Sequence, residues 1–326
     1  MIRHFISILL ILAVLFAPCA SQAQEQRLSQ VGFFFDTVVT ISAYVDSMTV
    51  LDEALEKCAG YEALLSKTVE GSDVWRINHA EGLPVEVSDE TIYVLNTALN
   101  VSEISSGAFD ITIAPAVSLW DFTGANNVLP NADELAQAAS IVDYTKIEID
   151  GNYVTLPAGM SIDLGGVAKG YIADQIAQFL RDSGVTSGIL NFGGNVVVIG
   201  DKLGEVWRVG LQNPQQQTGQ YLVVASVTDT AIVTSGIYER GFDLDGVRYH
   251  HLLDPSTGWP VQNELASVTI ITHESAYADA LSTAVFVMGI EKGGELINSL
   301  SGVEAVFIDR DNNIYASEGA QEIISG

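Results

Sequence analysis

The segment Asp163-Leu-Gly-Gly-Val-Ala-Lys-Gly-Tyr171 sets an acid and a base around paired glycines, immediately ahead of an amphipathic run. Glycine lets backbone approach a ligand closely, and the amides that open a helix point at anions, so Gly165, Gly166 and Lys169 suit a phosphate. A carboxylate repels a phosphate unless it binds a cation or hydrogen-bonds a base or ribose, so Asp163 turns the reading toward a nucleotide with metal. The same residues also make a plain strand-to-helix turn, with Asp163 as a helix cap and Lys169 in solvent. Two familiar signatures are excluded. Gly165 and Gly170 have P-loop spacing, but Tyr171-Ile172 stands where Lys-Ser/Thr belongs, and the Gly-x-Gly-x-x-Gly of a Rossmann dehydrogenase is absent.

A second constellation lies near the C-terminus. Asp279 and Thr283 are four residues apart in a stretch, 274–288, that reads as a helix ending at Gly289, so they share one face. A carboxylate and a hydroxyl so placed offer hard oxygens to one cation, magnesium by preference, while Ala280, Leu281, Ala284, Val285 and Met288 turn to a buried surface. Alternatively, Thr283 bonds back to the Asp279 carbonyl and Asp279 caps the helix start. His250 and His251 precede Leu-Leu-Asp-Pro-Ser-Thr-Gly258. Neighbours in a strand face opposite ways, so at most one imidazole meets a site and the other is exposed. A histidine beside a magnesium-phosphate site deprotonates an attacking hydroxyl; otherwise the pair stabilises the bend at Asp254-Pro255.

The elements that must position these groups follow from periodicity. Residues 33–44, with β-branched Thr37 to Ile41, read as a strand, and residues 50–65 as a helix whose apolar face includes Cys58, a core residue without chemistry. Ser88 caps a helix through about Ser105, and Asn131 with Glu134 resembles a capping box for a short one. The helix after Gly166 buries Val167, Ile172, Ile176, Phe179 and Leu180 and stops near Gly184. Strands at 188–192 and 196–199 form a hairpin, and further strands at 221–228, 231–234 and 265–272 make a largely antiparallel sheet. Residues 123–130 and 213–219 are loops, too short for linkers. The class is α+β, largely antiparallel sheets packed by helices.

Residues 1–23 read as an export signal: an apolar run at 5–17 is followed by Ser21-Gln22-Ala23, a signal-peptidase form. Such a run is short for a membrane span of about 20 residues, leaving residues 24–326 as one exported domain. Cys19 raises lipid attachment, although Pro18 spoils the lipobox. Without Cys19 only Cys58 remains, so stability comes from a core rather than disulfides, in keeping with 48% hydrophobic residues. Lys and Arg total 14 against 41 Asp and Glu, a net charge of −27. Nucleic acid and anionic membranes are therefore excluded as partners, and a polyanionic substrate needs local cations or a divalent metal.

Taken together, Asp163 to Tyr171, Phe192-Gly-Gly-Asn195, Thr234-Ser-Gly-Ile-Tyr-Glu-Arg240, His251 to Gly258 and Asp279-Ala-Leu-Ser-Thr-Ala284 resemble the ordered motifs of the ApbE family of FAD:protein FMN transferases. Gly107-Ala-Phe-Asp-Ile-Thr112, and Leu65-Ser66 with Ser72-Asp73, extend the likeness over nearly the whole mature chain. The resemblance implies a T-fold-related architecture. It also implies magnesium-dependent transfer of the FMN half of FAD to a Thr or Ser hydroxyl of an exported flavoprotein, with release of AMP. By the same resemblance Phe35, Ala108, Phe109, Asp110, Asp163, Lys169 and Leu253 contact FAD. Asp279 and Thr283 bind magnesium with backbone oxygens of Gly166 and Ser282, and His251 is the base. Phe35 replaces the family's frequent methionine, and Thr68 falls where many members place an aromatic. With water as acceptor the same residues make an FAD pyrophosphatase, and without turnover a flavin-binding module.

Overall fold

The structure is a computed structural model that describes residues 26–122, 127–217 and 219–325. The signal segment and Cys19 lie outside the described residues, as do 123–126 of the first expected loop. The chain opens with strands β1 (Gln26–Phe34) and β2 (Thr37–Val45), then helices α1 (Thr49–Leu65) and α2 (Asp73–Asn78). Next come β3 (Val85–Glu86), α3 (Asp89–Ile104), α4 (Ala114–Val117), α5 (Ala132–Ala139), β4 (Glu148–Asp150) and β5 (Tyr153–Thr155). Helix α6 (Ala168–Asp182) leads into β6 (Gly188–Phe192), β7 (Asn195–Ile199), β8 (Trp207–Gln212), β9 (Tyr221–Val227) and β10 (Ala231–Gly236). The hairpin β11 (Gly241–Leu244) and β12 (Val247–His250) precedes β13 (Leu265–Thr272) and α7 (Ser275–Ser299). The chain closes with β14 (Glu304–Asp309), β15 (Ile314–Ala316), α8 (Glu318–Ile323) and β16 (Ile324–Ser325).

An eight-stranded sheet, ordered β1-β2-β6-β7-β10-β13-β14-β15 with every neighbour antiparallel, forms the centre. Strand alternation sends Val39, Ile41, Leu190, Val197, Val233 and Ile270 to the face covered by α1, α6 and α7, the larger core. Val198, Ile232, Ile271 and Val306 point the other way, onto the small sheet β16-β9-β8. The α+β reading of antiparallel sheets packed by helices is what the structure has.

Two sequence expectations are corrected. The strand expected over 33–44 is two strands, because the chain reverses at Phe35 and Asp36, both at positive φ (50° and 56°). No Gly or Asn signals that turn. It is held from outside, the Phe35 N–H donating to Glu62 Oε1 of α1 at 2.6 Å. The helix expected to stop at Gly289 only kinks there, at φ 79°, and resumes to Ser299. Glu264 explains the resumption, since its Oε1 accepts the Ile290 N–H that the kink frees, at 3.0 Å.

Helices α6 and α7 approach closely at Gly170, where a Cβ would lie 2.2 Å from the Ser275 carbonyl oxygen and 2.8 Å from Ala276 Cα. Both obstacles are backbone and cannot swing aside. Gly170→Ala is expected to lower unfolding free energy by about 3 kcal/mol, read from the urea midpoint. An unchanged midpoint would show that the two helices are not locked at this point.

Candidate active site

The contact between α6 and α7 builds the first half of the site. Asp279 is 3% exposed and lies inside α7, not at its start, so the reading of it as a cap is corrected. The cap is Asp174 of α6, whose carboxylate oxygens accept the Ser275 and Ala276 N–H groups at 2.9 and 2.8 Å. Burial lifts the Asp174 carboxyl to about 7 despite those bonds. Asp279 Oδ2 instead accepts the Gly170 N–H at 3.0 Å, and its carboxylate lies 3.3 Å from Lys169 Nζ. Lys169 also donates to the Gly165 carbonyl at 2.8 Å, so it is not in free solvent.

Thr283 does not bond back to Asp279 O. Ser282 does so, its Oγ donating at 2.9 Å, and Ser282 Oγ also meets Ser235 Oγ of β10 at 2.8 Å. That hydroxyl is a brace behind the site. Thr283 Oγ1 is left half-buried, with Ser235 Oγ at 3.4 Å. A Cβ on Gly166 would stand 2.9 Å from the Phe109 ring and 3.8 Å from Thr283 Oγ1. Glycine is thus what brings this backbone up to Phe109 and Thr283 at once.

Asp163 sits on the neighbouring turn. Its Oδ1 accepts the Gly165 N–H at 2.8 Å, and its Oδ2 pairs with Lys67 at 2.6 Å. The Asp163 N–H donates to the Ile111 carbonyl, which fixes the turn against the segment carrying Ala108, Phe109 and Asp110. Asp110 is buried. Its Oδ1 accepts from Thr112 N–H and Oγ1–H, its Oδ2 from Tyr144 N–H, and burial raises its carboxyl above the usual range. Asp110 also lines a cavity of about 210 Å³ shared by Gly107, Tyr144, Pro255 and Ser256, which joins two motifs far apart in sequence. A larger cavity, about 390 Å³, between Tyr93, Asn96, Asn100 and Tyr277 contains none of these residues.

The remaining groups come from the other end of β10 and from β12. His250 points into the core, its Nε2–H donating to the Val261 carbonyl at 3.0 Å, so the imidazole expected to be exposed is fully buried instead. Its ring meets the edge of Phe286. His251 turns the opposite way, as strand alternation requires, and its Nε2 faces Glu239 Oε2 at 3.9 Å. Burial pulls the His251 imidazole down to about 3, so it is neutral at physiological pH. Leu253, two residues on, is buried in a cluster with Trp120, Leu135 and Phe242. Phe35 lies on the β1–β2 turn, and Arg240 donates to the carbonyl of its neighbour Asp36 at 3.1 Å. Thr68 is exposed and pairs only with Ser66.

Four participants escaped the sequence. Lys67 reaches the site through a pairing that joins distant segments, and no local pattern marks it, whereas Ser235 and Glu239 stand inside the Thr234–Arg240 motif without an assigned role. Asn195 was named only as part of a motif, yet its buried Nδ2 lacks a hydrogen-bond partner. In β7 it lies on the same sheet face as Val233, its partner in register, and Ser235. A buried amide donor without a protein partner can bond a water or a ligand.

The sequence profile of the ApbE family matches residues 35–307. Over 324 residues the chain is 34% identical to the FAD:protein FMN transferase of Treponema pallidum (strain Nichols), covering 92% of this chain and 90% of that one. Against the FAD:protein FMN transferase of Klebsiella pneumoniae (strain 342) it is 32% identical over 283 residues, covering 86% and 88%. The crystal structure of the ApbE protein of Thermotoga maritima superposes with a TM-score of 0.84 at 34% identity, covering 91% of this chain and 99% of that one. For the flavin transferase ApbE from Vibrio cholerae the TM-score is 0.82 at 28% identity, covering 91% and 99%. With the profile, the whole-chain identity and the superposed fold in agreement, the chain belongs to the ApbE family and is an enzyme, a flavin transferase.

Proposed function

We propose that this enzyme transfers the FMN half of FAD to a Thr or Ser hydroxyl of an exported acceptor flavoprotein, releasing AMP, and that it does so with magnesium. The observation that carries the reading is the Asp279 corner. A nearly fully buried carboxylate and a half-buried Thr283 hydroxyl lie one turn apart on α7, the Gly166 backbone comes close to Thr283, and Lys169 pairs with the carboxylate. Among the described residues no cluster of three His, Cys, Asp or Glu side chains competes as a metal site. This donor set suits magnesium, which takes few carboxylates and leaves room for phosphate oxygens. Asp279 and Thr283 would hold it, with backbone oxygens of Gly166 and Ser282. Bound there, magnesium supplies neutralisation of the pyrophosphate and of the charge that grows on the departing phosphate.

The protein's own groups do the rest. Lys169 adds a positive charge at the phosphates on a strongly acidic chain, and Asp163, steadied by Lys67, meets the nucleotide. Phe109, Ala108, Asp110, Phe35 and Leu253 line the path the flavin nucleotide takes. His251, neutral at working pH, accepts the proton of the attacking hydroxyl. Support for export is the apolar run at 5–17 with Ser21-Gln22-Ala23 after it. Contact with a membrane would come only through lipid at Cys19 or through the acceptor.

Purified protein given FAD, magnesium and an acceptor domain is expected to leave FMN covalently on the acceptor, seen as a mass increase, and AMP in solution. EDTA should stop the reaction and added magnesium restore it. Free FMN as the sole flavin product would refute transfer in favour of hydrolysis. Full-rate transfer in EDTA would refute the metal.

A further inference from the structure

Glu239 has no role in the reading above, yet its placement is specific. It follows β10, its side chain is 27% exposed, and its Oε1 lies 3.7 Å from where a Cβ on Gly194 would stand, so it lies over the β6–β7 turn. Across from it stands His251, 28% exposed in its side chain. The Nδ1 of His251 is sealed from solvent without a hydrogen-bond partner. The nitrogen that meets a substrate is therefore Nε2, the one facing Glu239. The separation of 3.9 Å is too long for a direct hydrogen bond. It is the right width for one oxygen placed about 2.8 Å from each partner.

Resting on the transferase reading, we propose that the acceptor hydroxyl binds in this gap, hydrogen-bonded to His251 Nε2 and Glu239 Oε2 together, which makes Glu239 a second catalytic residue and favours an alcohol as acceptor. A hydroxyl has one proton to give and lone pairs to receive, and the gap presents one acceptor and one donor. Desolvation raises the Glu239 carboxyl against the pull of Lys169, which favours the protonated form that donates. In the step itself the hydroxyl proton passes to Nε2 and the hydroxyl oxygen bonds to the FMN phosphorus. The P–O bond to the AMP phosphate breaks, and AMP leaves with that electron pair. A protonated amine would offer neither a lone pair to Glu239 nor a nucleophile to phosphorus.

The first test needs no variant. A crystal structure of the wild-type enzyme is expected to show one oxygen, water or acceptor, within about 3.2 Å of both Nε2 and Oε2. An empty gap, or direct contact of the two side chains, overturns the proposal, whatever the enzyme's reaction proves to be. The second test reads kcat for covalent flavin on the acceptor, together with the dissociation constant for FAD. Glu239→Ala is expected to lower kcat about 100-fold and leave FAD affinity within twofold, whereas Glu239→Gln, which still donates, stays within about fivefold of wild type. Equal loss in both variants, or no loss in Glu239→Ala, overturns it. A wild-type enzyme that leaves no covalent flavin on any acceptor would instead defeat the transferase reading, and the crystallographic result would still decide the gap.

Discussion

Asp279→Asn is expected to lower the rate of covalent flavin formation on the order of 10³-fold at saturating FAD and magnesium, while the protein still folds. Asparagine has nearly the shape of aspartate and can go on accepting the Gly170 N–H that aspartate accepts at 3.0 Å. What it lacks is the charge. Lys169 then faces a neutral amide but keeps its bond to the Gly165 carbonyl, so the stability change should be on the order of 1 kcal/mol. Magnesium titration by calorimetry should show affinity lost along with rate, because a neutral amide is a poor substitute for the one carboxylate in the donor set. Transfer within tenfold of wild type would mean that the metal, if used, is held elsewhere.

His251→Gln is expected to cost 10²- to 10⁴-fold in transfer, the usual range for a general base, with FAD affinity changed little. The wild-type pH profile gives an independent check. A base stops working when it is protonated, which happens below its pKa. Burial holds that value at about 3 for His251, so its protonation should not reduce the rate between about pH 7.5 and about pH 5. An acid limb centred near 6.5 that disappears in the His251→Gln variant would show that the imidazole is more solvated than its sealed Nδ1 edge implies.

Much of this candidate site is legible in the sequence, for reasons that differ from residue to residue. Asp279 and Thr283 share a helix face, so their four-residue spacing suffices, and the Asp163–Lys169 segment carries its own glycines. Helices α3 and α5 are legible from caps, since Ser88 Oγ accepts the Thr91 N–H and Asn131 Oδ1 accepts those of Asp133 and Glu134, whereas α1 is legible from its apolar periodicity. Residue roles came from likeness to a family, not from spacing. The failures share a cause too. Lys67 is paired with an acid 96 residues away, Asp174 caps a helix 101 residues on, and Ser235 meets Ser282 across 47. Such partners are chosen by packing, about which a local window is silent. The turn at Phe35 and the continuation beyond Gly289 belong to the same class, since Glu62 and Glu264 supply the bonds that local sequence does not.

The capping of α7 by Asp174 bears on how the enzyme loosens. Lys169, Gly170 and Asp174 belong to α6, and through them that helix holds both the end of α7 and its acid. Fraying at the start of α7 cannot proceed while α6 stays in place, and α6 cannot drift without releasing Asp279. The two helices are therefore expected to open together, since each end of the contact is tied by the other helix.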